Sequence, residues 1–497
     1  QSNKSESDLG LGFNSSTDDF TLVGAGSNLL RQVGGALGEW NWLNIYANAN
    51  YNYRNKYFLT TSYAVDGSSR FGDKSNGKDK YALMTSITGA WLVSSEGFMK
   101  NIKAIDYLKF RATYGHSGND DIGNFTAQKY YVSQNLLGMQ GLVRGSIGNP
   151  NLQWETVKKF NIGADLGIFH QRVNASLDFY TNRTRNMIVY ETVSNASGFD
   201  YAVSNAGAMR TLGAELALKA RIVNAADLTV DLGVNLSRYK NEVQGLPNGD
   251  ILTQFAGATY LTSVGQDANL FYGLKTVGVY STTADANTAG LTRRLPNGDL
   301  VSFTAGDMQF VDANNDNVID DKDRMVIGNP NADLFGSFST NIAYKRFSLE
   351  ALFNFSVGND IYNGLRYNLE KMSGYENQSA AVANRWRAEG QQTDMPKATW
   401  GDPMGNAEFS SRWIEDGSFV RLDNITLGYD INLESFPSIS NARLFITGQN
   451  LLLFTNYSGL DPEVNSDVSG TGIAPVGVDY LAYPKAKTVS VGLSLSF

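Results

Sequence analysis

The feature that most constrains this chain is a two-residue alternation of apolar and small polar side chains, repeated from one end to the other. It is plainest at the C-terminus, where Val489, Val491, Leu493, Leu495 and Phe497 alternate with Ser490, Gly492, Ser494 and Ser496. Successive side chains of a strand point to opposite faces, so this segment has one apolar face and one small polar face. The same grammar holds for Leu43, Ile45, Ala47, Ala49, Tyr51 and Tyr53, and for Phe160, Ile162, Ala164, Leu166 and Ile168. It returns in Leu228, Val230, Leu232, Val234 and Leu236, with Thr229, Asp231, Gly233, Asn235 and Ser237 opposite them. A soluble sandwich would turn the apolar face to a core. An outer-membrane barrel turns it to lipid and keeps the polar face inside. Recurrence along the whole chain and the terminal aromatic Phe497 favour the barrel.

Composition narrows the rest. Charged residues make up 18% and aromatics 12%, with no cysteine and two histidines, His116 and His170. Disulfide, thiol and Cys-ligated metal chemistry are excluded, and His-based catalysis has little to work with. A net charge of −8 without a basic run argues against a nucleic-acid partner. No apolar run approaches the roughly 20 residues of a membrane helix, so a membrane would be crossed by strands closed into a barrel.

Connection lengths carry the topology. Turns after Tyr53, Ile168, Arg221 and Tyr344 take a few residues, whereas stretches 117–156, 182–210, 240–334, 358–418 and 455–486 are long. Short and long alternate over about 13 strands, as in barrels with short periplasmic turns and long extracellular loops. The expectation is therefore an all-β, antiparallel transmembrane barrel in the bacterial outer membrane, in contact with the lipid bilayer and lipopolysaccharide. Bacterial single-chain barrels have even strand numbers. An odd count with Phe497 on the periplasmic side places residues 1–40 as the tail of an extracellular loop, and residues 41–497 as the C-terminal portion of the barrel. On this reading the chain associates with a second polypeptide carrying the plug and the remaining strands, the N-terminal part of the same transporter.

Several stretches resemble the SusC/RagA family of TonB-dependent outer-membrane transporters. They are Asp66-Gly67-Ser68-Ser69-Arg70-Phe71-Gly72, WLVSSEGF at 91–98, LKFRATYGHSG at 108–118, Trp154-Glu155 and Gly278-Val279-Tyr280. GDMQFVDANNDNVIDDKDRMVIGNP at 306–330 is the most specific, and SFVRLDNITLGY at 418–429, LDPE at 460–463 and Tyr483-Pro484 follow in order. The resemblance implies a plugged barrel of roughly 22 strands. It further implies import of oligosaccharides or peptides with energy from TonB, and a SusD-like lipoprotein over the extracellular mouth. The plug and the TonB-contacting segment belong upstream in that family and are absent from this chain. A secreted β-rich adhesin or glycan-binding protein would also account for the aromatics and glycines, but gives no reason for long loops to fall at one end.

Two sets of residues invite a ligand. Asp312, Asn314, Asp316, Val318, Asp320 and Asp323 follow the oxygen spacing of an EF-hand calcium loop, with Val318 offering a backbone carbonyl. Asn317 stands where such loops carry glycine, and Asp323 replaces the bidentate Glu. A structural Ca²⁺ is expected, against an acidic solvated loop with Asx turns. Trp386, Trp400 and Trp413 lie in the 358–418 stretch, where they stack on substrate or pack against the rim. Tyr51, Tyr53, Tyr180 and Tyr344, near strand ends, are expected in interfacial girdles. No nucleophile elbow, Walker loop or zincin helix is present, so no enzyme is predicted.

Overall fold

The alternating segments pair as one antiparallel sheet in sequence order, seen in a computed structural model that describes residues 1–11, 32–71, 80–136, 139–199, 201–432, 439–464, 476–480 and 482–496. Fourteen strands make this sheet. We number them β1 (Ser2–Leu11), β2 (Gln32–Tyr53), β3 (Tyr57–Ser68), β4 (Tyr81–Leu92), β5 (Ile105–Asn119), β6 (Glu155–Ile168) and β7 (Val173–Thr192). The second half comprises β8 (Tyr201–Asn224), β9 (Leu228–Gly245), β10 (Leu334–Tyr344), β11 (Phe347–Val357), β12 (Phe419–Asp430), β13 (Asn441–Thr455) and β14 (Thr488–Ser496).

Register keeps the two faces separate across the sheet. Leu232 stands opposite Ala220 and Thr340, while Asp231 stands opposite Arg221 and Asn341. Leu493 pairs with Leu444, and Ser494 with Arg443. A one-residue slip in any pair would exchange the faces, so a sheet with one apolar side fixes its own register. Tight turns close the short end. Arg54 and Asn55 both adopt positive φ, 56° and 53°, and the Asn55 N–H donates to the Asn52 side-chain oxygen at 3.0 Å. Left-handed residues in a hairpin turn match the strand twist.

Aromatic side chains gather on the outward face at that short-turn end. Tyr57 stacks on Trp91 with ring centroids 6.4 Å apart, and Phe347 lies 4.8 Å from Tyr429. Tyr51, Tyr53 and Tyr344 are exposed there as expected. Tyr180 departs from the expectation. It sits on the polar face beside Gly213, where a Cβ would come within 2.3 Å of the ring. The absence of a side chain at Gly213 makes room for that ring.

The structure corrects two boundaries and the strand count. Residues 1–40 do not form a loop tail: β1 pairs with the first half of β2, from Ser2 opposite Asn41 to Leu11 opposite Gln32. The Gln1 carbonyl accepts from the Trp42 N–H, and the Gln1 amine donates to the Trp42 carbonyl, both at 2.8 Å. The side chains of β1 are all exposed, so the strand carries no burial pattern to betray it and is recruited by backbone pairing alone. The sheet therefore has 14 strands rather than 13, and the odd-count argument falls. The 182–210 loop shrinks to residues 193–200, because β7 and β8 stay paired out to Thr192 opposite Tyr201. Phe497 lies outside the described residues.

Leu232→Arg should lower stability by roughly 2–4 kcal/mol if the site lies at mid-bilayer, whereas Asn235→Arg on the polar face should cost far less. Unfolding in urea, followed by the mobility shift of unboiled protein on gels, measures both. Equal losses would contradict the assignment of faces.

Candidate functional site

The polar face forms a charged inner wall. Arg111 on β5 reaches across two neighbouring strands: its Nε donates to Asp165 at 3.0 Å, and its Nη2 to Asp178 at 2.7 Å and Ser176 at 2.9 Å. Arg221 pairs with Asp231 at 2.8 Å and Arg443 with Glu350 at 3.2 Å. Between these pairs lies a trough of about 810 Å³ lined by Asp165, Ser176, Lys219, Asp231, Asn235 and Glu350. Ion pairs in such a wet wall contribute little to stability individually, but they leave fixed donors and acceptors facing the interior.

Beyond the rim at the long-loop end, three excursions fold into one body. Ala258, Tyr260 and Phe271 from residues 246–333, Tyr362, Ala407, Phe409 and Trp413 from residues 358–418, and Val478 from residues 456–487 share one buried apolar cluster. Polar ties complete it. Lys397 pairs with the buried Asp307 at 3.0 Å, joining the first two excursions. Glu415 accepts from Ser458 N–H at 2.9 Å and from Arg366 at 3.0 Å, joining the second to the third. A second lobe stands apart, where Phe71, Met84, Ile122, Leu152, Trp154 and Val203 pack together.

Arg421 fastens this body to the barrel wall. It is odd-numbered like the outward Ile425 and Leu427, yet it shares a face with Asn354 of the polar side, because a bulge between Leu422 and Asn424 inserts one residue. One inserted residue flips the alternation above it. The Arg421 side chain is 3% exposed and pairs with Asp461 and Glu463, and Glu463 also takes Lys485 at 2.9 Å. Both ends of the final excursion thus meet at the two acids that hold this guanidinium.

The expected site residues divide. In the Asp312–Asp323 stretch the acidic side chains turn to their own backbone. Asp312 accepts from Asp316 and Asn317 N–H, Asp316 accepts from Val318 N–H, and Asn314 accepts from Asp316 N–H. Asp320 accepts from Lys322 N–H and pairs with Arg294 at 3.1 Å. Asp323 is fully buried and accepts from Ala313 and Asp320 N–H. Among the described residues, no group of three or more acidic or imidazole side chains is gathered to hold a metal ion. Trp413 is fully buried, its Nε1 donating to the Glu408 carbonyl at 3.1 Å, with the Arg412 guanidinium 4.2 Å from its ring. Trp386 lies against Gly306 and donates to the Ser281 carbonyl at 3.1 Å. Only Trp400 is open to solvent, and beside it stands Tyr375, which no sequence periodicity singled out.

Residues 4–451 match the family model described as TonB dependent receptor-like, beta-barrel. TonB-dependent receptor P3 of Formosa agariphila is 33% identical over 489 residues, covering 95% of this chain and 47% of that protein. TonB-dependent receptor SusC of Bacteroides thetaiotaomicron is 28% identical, covering 90% of this chain and 43% of SusC. The RagAB peptide transporter superposes on all of this chain and 55% of its own, with TM-score 0.78 and 25% identity. The chain spans about half the length of the curated relatives it matches.

Two outcomes follow from the mouth. Arg421→Ala leaves the buried Asp461 without its cation, so the variant should lose about 3–5 kcal/mol and expose residues 456–487 to limited proteolysis. An unchanged digest would contradict the fastening role. Burial pushes the Asp402 carboxyl up to about 6, against the pull of the Asn406 and Ala407 N–H groups that it accepts. A raised carboxyl favours the fold while protonated, and that contribution is lost as pH rises from about 4 through 6. Asp402→Asn should flatten this part of the melting-temperature profile, and an unaltered profile would contradict the assignment.

Proposed function

The chain belongs to the TonB dependent receptor-like β-barrel family of the outer membrane, and from that premise we propose that it forms the loop-capped wall of a SusC/RagA-type nutrient importer. The observation that carries this reading is the superposition of the whole chain on the RagAB peptide transporter. The polar trough inside the wall and the folded body over its rim support it: cargo would pass from one to the other. In this reading oligosaccharides or peptides are moved with energy from TonB, and a SusD-like lipoprotein rests on the loop body.

We also propose that residues 312–323 take a structural Ca²⁺. The donor set is all oxygen, as a hard cation requires. Asp323 supports the proposal, being a buried carboxylate met by two backbone N–H groups and by no ion pair among the described residues. Asp312, Asn314, Asp316, Asp320 and the Val318 carbonyl would complete the shell, with Asp312 and Asp316 turning away from their N–H partners. The ion would brace the 246–333 excursion and take no part in transport chemistry.

Protein extracted gently from outer membranes of its source bacterium should copurify with a lipoprotein of SusD type, and deleting its gene should abolish uptake of one class of oligosaccharide or peptide. Undiminished uptake of every class would contradict the importer reading. Metal analysis of protein purified in calcium should find one Ca²⁺ that is lost in the Asp312→Ala, Asp316→Ala double variant. Unchanged metal content would reject the calcium site.

A further inference from the structure

Tyr375 and Trp400 are 92% and 63% exposed, with ring centroids 4.3 Å apart and planes inclined by 55°. The segments carrying them are held together, since the Gly401 N–H donates to the Ser373 carbonyl at 3.0 Å. On the Tyr375 side, Lys371 pairs with Glu376 at 2.7 Å. Between residues 358 and 418 these are the only two large apolar side chains left exposed. Trp413, Phe409, Tyr362 and Met395 from the same excursion are all buried. Packing thus gathered the apolar side chains of this loop into a core and left out one aromatic pair.

A cavity of about 820 Å³ reaches the two segments that carry the pair, since Ser373, two residues before Tyr375, and Gly401, next to Trp400, belong to its wall. Arg294, Asn297, Asp321 and Asp402 also line it. The volume is that of a small-molecule site, and the lining is rich in planar groups able to form paired hydrogen bonds.

We propose that Tyr375 and Trp400 form a stacking platform at the edge of this cavity that binds a saccharide ring. A pyranose offers an apolar C–H face and a rim of hydroxyls. An aromatic ring near planar hydrogen-bonding side chains answers both at once, and here the segments bearing the rings also wall a cavity lined by Arg294, Asn297 and Asp402. A stable protein partner calls instead for about 800 Å² of contiguous surface per side. The chain neighbours of the aromatic pair are the exposed Glu376, Asn377, Gln378 and Gly401, and between residues 358 and 418 no other large apolar side chain is exposed to extend it. The proposal deepens the importer reading by naming saccharide as the substrate class, and rests on it for the reason a sugar is held at this mouth.

Purified protein in detergent is titrated with maltohexaose, laminarihexaose and oligomannuronate, read by tryptophan fluorescence and calorimetry. At least one should bind and perturb the fluorescence. Trp400→Ala and Tyr375→Ala should each weaken that binding about three- to tenfold, while Trp400→Phe keeps most of it. Unboiled gel mobility should match the parent protein in all variants, showing that the barrel has folded. Binding of none of the three sugars, or binding indifferent to both alanine variants, overturns the proposal. So does a result in which the variants lose a copurifying lipoprotein but keep sugar affinity, since the rings then belong to a protein interface. The importer reading fails by a different result: cells lacking the protein take up the same sugar undiminished, although the purified protein still binds it.

Discussion

Inside a hydrocarbon layer no water is available to a peptide group, so every N–H and C=O of a spanning segment must find a partner within the protein. The antiparallel ladder from β2 to β14 is the response to that constraint, and the side-chain grammar follows from it. Once the backbone is committed to strands, alternate positions face lipid and interior, and the two faces diverge in chemistry. Leucine, valine and aromatic rings collect on one. Arg111, Asp165, Asp178, Asp231 and Glu350 collect on the other.

Above the rim the constraint is lifted, and the chain behaves as a soluble protein does. The excursions between β9 and β10, β11 and β12, and β13 and β14 bury Tyr260, Phe271, Tyr362 and Trp413 against one another, building a core that no single loop could build alone. Arg421 marks the border between the two regimes. The bulge beside it turns a position of outward parity inward, where the buried guanidinium is tolerable because Asp461 and Glu463 pair with it. The wall and the loop body are thereby joined at a point fixed by a single inserted residue.

The strands that cross the membrane were legible because lipid on one side and water on the other write a period of two into the sequence. The short turns after Tyr53 and Tyr344 were legible from the spacing between alternating runs. What lay outside that signal was misjudged. β1 pairs through its backbone with exposed side chains, so Ser2–Leu11 looked like loop, and the outer end of β7, where Met187, Ile188, Val189 and Tyr190 follow one another without alternation, looked like loop too. Parity arguments fail at a bulge, so the alternation alone carries no sign that Arg421 turns inward. The tryptophans of the 358–418 excursion were indistinguishable in sequence, because their fate depends on partners far away in the chain: Trp413 meets Tyr367, and Trp386 meets Gly306, whereas Trp400 meets only Tyr375. Acidic spacing in residues 312–323 is equally compatible with Asx turns and with a cation, since both use the same oxygens.

The central claim is that one face of this sheet meets lipid while the other meets water. The chain has no cysteine, so spin labels can be placed one at a time along β9 from Leu228 to Ser237 in protein reconstituted into bilayers. Accessibility to oxygen, which partitions into lipid, should peak at Leu228, Val230, Leu232, Val234 and Leu236. Accessibility to a water-soluble nickel chelate should peak at Thr229, Asp231, Gly233, Asn235 and Ser237. Two profiles that rise and fall together, or that lack a period of two, would contradict it.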